Sequence, residues 1–336
     1  MNVKVKRYVV DTLKTLALPV LVIALFAILT GGRSLTKRML LVTARQSVMP
    51  IIISMALMGN MKLGMWDFSA GGVVLSAAII GGNLMKMTNT GIPGLVFFCL
   101  FIAIAMATLT GYLNNKLRVP TLVVTIGLVL IYETIPRAIF PGGVTIRAKY
   151  TTLASSPYCF IILAIMFAGF YLMYNKTAYG HNIRALGGSH EIAKSAGLNA
   201  PRIIQTGFSI SGIFLGIGAV IYVSTNGQLM TVTALGSVAT IFEAMMGVFL
   251  AFFLSQFCNL AVALVVGTFT MTALTNGLVA MGLPATMRSI TSGLFLLILL
   301  CISANQERII KWRADKQRAR GIMARRNSDT DASIEM

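Results

Sequence analysis

The chain has 336 residues, of which 56% are hydrophobic and 11% charged, and its formal net charge is +18. Soluble domains carry about a quarter charged residues, so this composition, with a mean hydropathy of +0.81, excludes most soluble enzymes and any disordered scaffold. What remains is an all-α polytopic membrane protein, built from transmembrane helices of about 20 residues each.

The basic excess has a membrane reading. A sequence pI near 10.2 in a soluble protein points to nucleic acid. Here the lysines and arginines lie between apolar runs and in the tails, with no groove-reading motif, so no nucleic-acid partner is expected. They set topology and meet membrane lipid headgroups instead.

Lys4, Lys6, Arg7 and Lys14 precede the apolar stretch Leu16–Thr30, read as an uncleaved first span rather than a signal peptide. Ser47–Met58 and Ser69–Asn83 follow, both short, separated by Gly59, Asn60, Lys62, Gly64 and Asp67. Short apolar segments are often re-entrant, and irregular backbone at membrane depth needs protein or a cavity around it. This region is therefore the first candidate for a translocation-path element, with two short tilted helices as the alternative. Next come Ile92–Leu113, Val119–Phe140, Pro157–Tyr174, Thr206–Val223, Gly236–Leu254, Phe257–Met281 and Pro284–Ser303, which makes about ten spans, one of them broken or re-entrant. An even count puts both termini on one side, and the lysine and arginine asymmetry makes that side cytoplasmic.

No catalytic, metal or cofactor constellation is visible. GxxxxGK[ST], HExxH and GxSxG are absent, so no nucleotide is held in a P-loop and no enzyme is expected. Cys99, Cys159, Cys258 and Cys301 form no CxxC pair and read as small buried hydrophobes. His181 and His190 share one polar loop without a cysteine near and make no metal site. Acids in or beside apolar segments are Asp67, Glu133 and Glu243. Glu133 is expected to pair with Arg137 one turn on; Glu243 has no evident partner.

The longest internal polar stretch runs Asn175–Gln205, on the expected cytoplasmic side. Gly187 and Gly188 are expected to break the chain there. Ser189 can N-cap a short helix through Ala196, and Gly197 can close it in a left-handed cap. So short a helix needs a partner surface to be stable, and the small side chains of Ala193 and Ala196 allow close approach.

Four groups of residues, in register along nearly the whole chain, carry a family resemblance. They are Tyr179-Gly180-His181 through Ala185-Leu186-Gly187-Gly188-Ser189 to Ala196-Gly197-Leu198; Gly64-Met65-Trp66-Asp67-Phe68-Ser69-Ala70-Gly71; Leu113-Asn114-Asn115 through Arg118-Val119-Pro120 to Thr125-Ile126-Gly127; and Gly267-Thr268 through Thr275-Asn276-Gly277-Leu278. The chain resembles permeases of the ribose-type, simple-sugar group of ATP-binding cassette (ABC) importers, as a diverged member. Between Gly247 and Gly267 it has an apolar, glycine-free run where that family has a glycine-rich turn, and near Glu133, where arginine is common in the family, it carries an acid.

The resemblance implies a transmembrane permease domain over residues 1–305 and a basic cytoplasmic tail over 306–336. It also implies a cytoplasmic ATPase, an extracytoplasmic solute-binding protein and a second permease subunit, identical or different, in the bacterial plasma membrane. No cofactor is implied. Gly187, Gly188, Ser189, Glu191, Ala193, Ala196 and Gly197 become ATPase-coupling residues, with Ala193 and Gly197 at the contact. Gly64, Asp67, Ser69, Gly71, Asn276 and Gly277 become translocation-path or structural positions. Permeases for nucleosides or branched-chain amino acids stay open as alternatives, as does a stand-alone secondary carrier.

Overall fold

The computed structural model describes residues 3–32, 35–117, 119–188, 193, 195–284, 287, 290, 291, 293, 294, 297, 298 and 301, with backbone alone over 3–14. The chain divides into a unit over 1–288 and a second over 289–336, in which the described positions between 290 and 301 are helical. The expected basic tail lies outside the described residues.

Helices dominate because a backbone in hydrocarbon must satisfy its own polar groups. In chain order they are α1 (Val3–Leu29), α2 (Lys37–Lys62), α3 (Ser69–Thr88), α4 (Gly91–Leu117), α5 (Thr121–Ile139), α6 (Tyr158–Lys176), α7 (Ala178–Gly188), α8 (Ala200–Asn226), α9 (Ala239–Leu254) and α10 (Leu260–Ala280). Among the described residues, α2 to α6, α8, α10 and the stretch Gly236–Leu254 ending in α9 make 8 segments long and apolar enough to cross a membrane. The apolar part of α1, Thr15–Leu29, is shorter. The expected last span, Pro284–Ser303, falls mostly outside the described residues.

The expected short segment Ser47–Met58 is part of a helix of 26 residues. Its first turns carry Lys37, Arg38 and Arg45, and the two arginines are exposed, so charge truncated the apolar run without ending the helix. The polar stretch Asn175–Gln205 is likewise partly helical. Asn199 accepts a hydrogen bond from the Arg202 amide (3.2 Å), and Pro201 occupies the first turn, so α8 starts well before its apolar face.

Small residues set the packing. A Cβ added at Gly212 or Gly216 of α8 would meet the Ile104 or Leu100 Cα of α4 at 2.7 and 2.8 Å. One at Gly247 of α9 would lie 2.7 Å from the Thr268 Cα of α10. In lipid there is little hydrophobic drive between helices, so such close approach and interhelical hydrogen bonds carry the association. Thr268 Oγ1 donates to Ser54 Oγ (3.1 Å), and Asn276 Nδ2 to Thr43 Oγ1 (3.3 Å), which fixes α10 antiparallel to α2.

A second irregular stretch follows α8. After α8, residues Gln228–Leu229 (β2) pair antiparallel with Val144–Thr145 (β1), with Val144 opposite Leu229. The chain then turns back, and a 3₁₀ turn at Gly236–Val238 leads into α9. At 16 residues α9 is about 24 Å long by the helical rise. Together with the 3₁₀ turn it makes the 19-residue apolar stretch Gly236–Leu254, whereas α2 and α3, where a short or re-entrant element was expected, run 26 and 20 residues with only residues 63–68 irregular between them.

Candidate functional site

Two regions stand out: a polar node where α3 and α9 begin, and a surface segment between α7 and α8.

The linker 63–68 is held from several sides. Gly64 has φ +75°, a conformation that disfavours any side chain. The Thr125 hydroxyl donates to the Trp66 carbonyl (3.1 Å), Asn114 Nδ2 lies 3.8 Å from Met65 Sδ, and Trp66 stacks at a tilt on Phe249 with centroids 5.3 Å apart. Asp67 is 2% exposed. It accepts from the Ser69 hydroxyl (2.6 Å) and from the amides of Ser69 and Ala70. The capping residue of α3 by position is Phe68, so Asp67 satisfies the open amides of the helix from one residue further out. Ser69 Oγ lies 3.3 Å from Thr110 Oγ1, which lies 3.0 Å from the Tyr132 hydroxyl; that hydroxyl donates to the Met106 carbonyl (2.9 Å). The node thus ties α3 to α4 and α5.

Because Asp67 accepts backbone and hydroxyl bonds, Asp67→Ala strips several buried donors at once, each costing about 1–3 kcal/mol. Asp67→Asn retains one acceptor oxygen. Thermal unfolding of the detergent-purified chain is expected to show a clear fall for alanine and a smaller one for asparagine. Equal losses would point to an essential negative charge.

Gly71 makes the second junction: a Cβ there would stand 2.5 Å from the Ser237 carbonyl oxygen of the 3₁₀ turn. The turn is also gripped by Glu133, 1% exposed in α5. Glu133 Oε2 accepts from the Leu235 amide (3.0 Å), and Oε1 from the Ser237 amide (2.7 Å) and hydroxyl (2.6 Å). Its partner is the 3₁₀ turn rather than the expected Arg137, which is exposed on the same helix. A buried carboxylate seeks donors that have no other partner, and an unbonded turn offers them. Glu243, half-buried on α9, bonds with Thr272, while its Oε1 is buried without a partner among the described residues. Asn276 and Gly277 lie apart from this node, on α10: Asn276 bonds Thr43, and Gly277 sits against the Phe26 ring.

The second region begins with α7. Gly187 and Gly188 are helical and are the last two residues of α7, with 189–192 outside the described residues. A Cβ at Gly187 would meet the Lys62 carbonyl oxygen at 2.6 Å, so glycine there permits contact with the end of α2. Ser189 and Glu191 lie outside the described residues. Ala193 and Ser195 are helical, and the Leu198 amide donates to the Ala193 carbonyl (3.1 Å) across Gly197, whose φ is +81°. That six-to-one bond over a left-handed residue is a helix stop. Ala193 is 3% exposed and packs within the chain, against the expectation that it faces a partner; Ala196 and Gly197 are exposed. One face of a short helix packs on its own chain, so the exposed end is the free face.

Sequence reasoning missed the Glu133 contact, the 3₁₀ turn at Gly236–Val238, and the packing of Tyr179. The signal for the first was Glu133 itself, a carboxylate in an apolar run. Among the described residues no group of three His, Cys, Asp or Glu side chains could hold a metal ion.

Residues 39–302 match the family described as "Branched-chain amino acid transport system / permease component". The chain is 26% identical over 203 residues to the galactose/methyl galactoside import permease protein MglC of Escherichia coli (strain K12), covering 52% of this chain and 60% of MglC. It is 23% identical over 244 residues to the autoinducer 2 import system permease protein LsrC of Photorhabdus luminescens, covering 70% of this chain and 72% of LsrC. With LsrC of Yersinia enterocolitica the identity is 25% over 244 residues, covering 69% and 65%. The chain spans about three fifths of the length of the MglC relatives it matches. No solved structure matches it.

Proposed function

The chain belongs to the family of branched-chain amino acid transport system permease components, and from that premise we propose that it is the membrane-spanning permease of an ABC importer for a simple sugar or related small polar solute. It works in the bacterial plasma membrane with a cytoplasmic ATPase, an extracytoplasmic solute-binding protein and a second permease subunit. The observation that carries this reading is the helical segment that stops at Gly197, exposed at Ala196 and Gly197, joined to an α7 packed on the Lys62 end of α2. Such a segment offers a small-residue face to a docking protein while its neighbour is fastened to the spans. The names of the relatives, galactose and autoinducer 2 import permeases, favour a sugar over the amino acids in the family description.

The chain performs no covalent chemistry in this scheme. Closure of nucleotide sites in the ATPase moves the docked segment, and the spans answer by exchanging inward and outward access. The node of Asp67, Ser69, Gly71, Glu133 and Ser237 keeps two half-buried helix starts, those of α3 and α9, in fixed register while they move.

The Lys62 end, with the termini, faces the cytoplasm on this reading. A single cysteine at Ala196, in a chain lacking Cys99, Cys159, Cys258 and Cys301, is expected to resist impermeant thiol reagents in sealed cells and react after permeabilisation. Labelling in sealed cells would reverse the orientation. For the solute, the binding protein captured with the chain from native membranes is screened by thermal shift against galactose, ribose, adenosine and leucine. Stabilisation by a monosaccharide is the expected result; stabilisation by leucine or adenosine alone would move the chain to another branch of the family.

A further inference from the structure

We propose that Tyr179 is the positioning residue through which the coupling segment drives the spans, its phenol seated in a slot between Gly59 of α2 and Gly207 of α8. This rests on the importer reading above and names the contact that would carry the motion.

The slot is built from two glycines on two different helices. A Cβ added at Gly59 would lie 2.9 Å from the Tyr179 hydroxyl oxygen, and one added at Gly207 would lie 3.2 Å from it. Only residues without a side chain leave this space, and the phenol fills it. Burial pushes the Tyr179 phenol well above its ordinary range, in line with a hydroxyl withdrawn from water. Asn60 borders the same space: its Oδ1 would lie 3.0 Å from a Cβ at Gly207, and its Nδ2 is buried without a partner among the described residues. Ile183, one turn along α7, follows Tyr179 onto Gly59 at 3.4 Å from the same added Cβ.

The remaining contacts of α7 are of another kind. Gly180 sits against the Tyr174 carbonyl, Arg184 lies over the Tyr174 ring (5.2 Å), and Gly187 meets the Lys62 carbonyl. These hold α7 to the ends of α6 and α2. Tyr179 alone of this set reaches between two spans. It sits near the start of α8, whose 27 residues run to Asn226, directly before β2 and the 3₁₀ turn at Gly236–Val238. A helix of that length is about 40 Å of stiff rod. A displacement of α7 therefore reaches Gly207 through the phenol, and the far end of α8 moves the loop that Glu133 and Gly71 hold. Packed interfaces of this type switch between discrete arrangements.

The test reads motion without knowing the solute. A cysteine replaces Thr233, exposed in the loop between β2 and the 3₁₀ turn, in a chain lacking the native cysteines, co-purified with its ATPase and reconstituted. Adding ATP and vanadate is expected to change its maleimide labelling rate roughly tenfold, as a two-state population shift would. In Tyr179→Ala the ATPase is still captured, because residues 195–197 are untouched, but the nucleotide-dependent change is lost. In Tyr179→Phe, which keeps the ring in the slot, it persists. Gly207→Val, which fills the slot from the other side, is expected to reproduce the alanine result. A full nucleotide response in both Tyr179→Ala and Gly207→Val would overturn the proposal. So would loss of ATPase capture in Tyr179→Ala, since the residue would then only fold the segment. If the unmodified permease captures no ATPase, the importer reading itself fails and takes this inference with it.

Discussion

Replacing Glu133 with alanine is expected to cost the chain roughly 4 kcal/mol of stability or more, among the largest effects of any single substitution in it. The Leu235 amide, the Ser237 amide and the Ser237 hydroxyl all lose their acceptor together. The two Ser237 donors are buried, where an unmet donor costs about 1–3 kcal/mol and charged acceptors sit at the upper end, while the part-buried Leu235 amide adds less. Glu133→Gln keeps the oxygen that serves Ser237 and turns an amide group toward the Leu235 N–H, so its loss is smaller. Arg137→Ala is expected to be nearly neutral, because Arg137 is exposed and the carboxylate has other partners. The measurement is the unfolding midpoint of each purified variant, with thiol labelling of a cysteine at Thr233 reporting whether the turn has swung out. A neutral Glu133→Ala with a damaging Arg137→Ala would restore the helical ion pair and dismiss the turn.

The second large effect separates two faces of one short helix. Ala196→Arg puts a bulky charge on the exposed end, where a docked ATPase would bury it unpaired at a cost of several kcal/mol. Capture of the ATPase is expected to fall by at least about tenfold while the permease itself purifies normally. Ala193→Arg acts differently, since Ala193 is 3% exposed within the chain. There the same charge is forced into the protein's own packing, and the yield of monodisperse permease falls. Size-exclusion profiles and the ATPase bound per permease distinguish the two. Normal capture by Ala196→Arg would show that this end of the segment docks nothing.

The membrane class and most helices were legible because apolar run length follows from bilayer thickness. Boundaries were less so where charge and membrane depth disagree. Lys37, Arg38 and Arg45 truncated the apparent second span, yet they belong to a continuous helix. Gly187 read only as part of a break, because a glycine needed for close approach to Lys62 looks in sequence like one needed for a turn. The node was half legible. Asp67 and Ser69 are two residues apart and announce a helix start. Glu133 and Ser237 are 104 residues apart, and no local pattern links an acid on one helix to amides of a distant turn. Tyr179 was visible only as the aromatic of a motif. Its slot needs Gly59 and Gly207 brought together by the packing of α2 on α8, which tertiary structure alone supplies.

The claim that the chain is driven by a separate ATPase is tested most directly by purifying it from its native membrane and measuring ATP hydrolysis of what comes with it. The account predicts that an ATP-binding cassette subunit co-purifies and that the complex hydrolyses ATP, with both lost in Ala196→Arg. It would be contradicted if the chain purified with no ATP-hydrolysing subunit and, reconstituted alone, carried radiolabelled galactose into liposomes under an ion gradient.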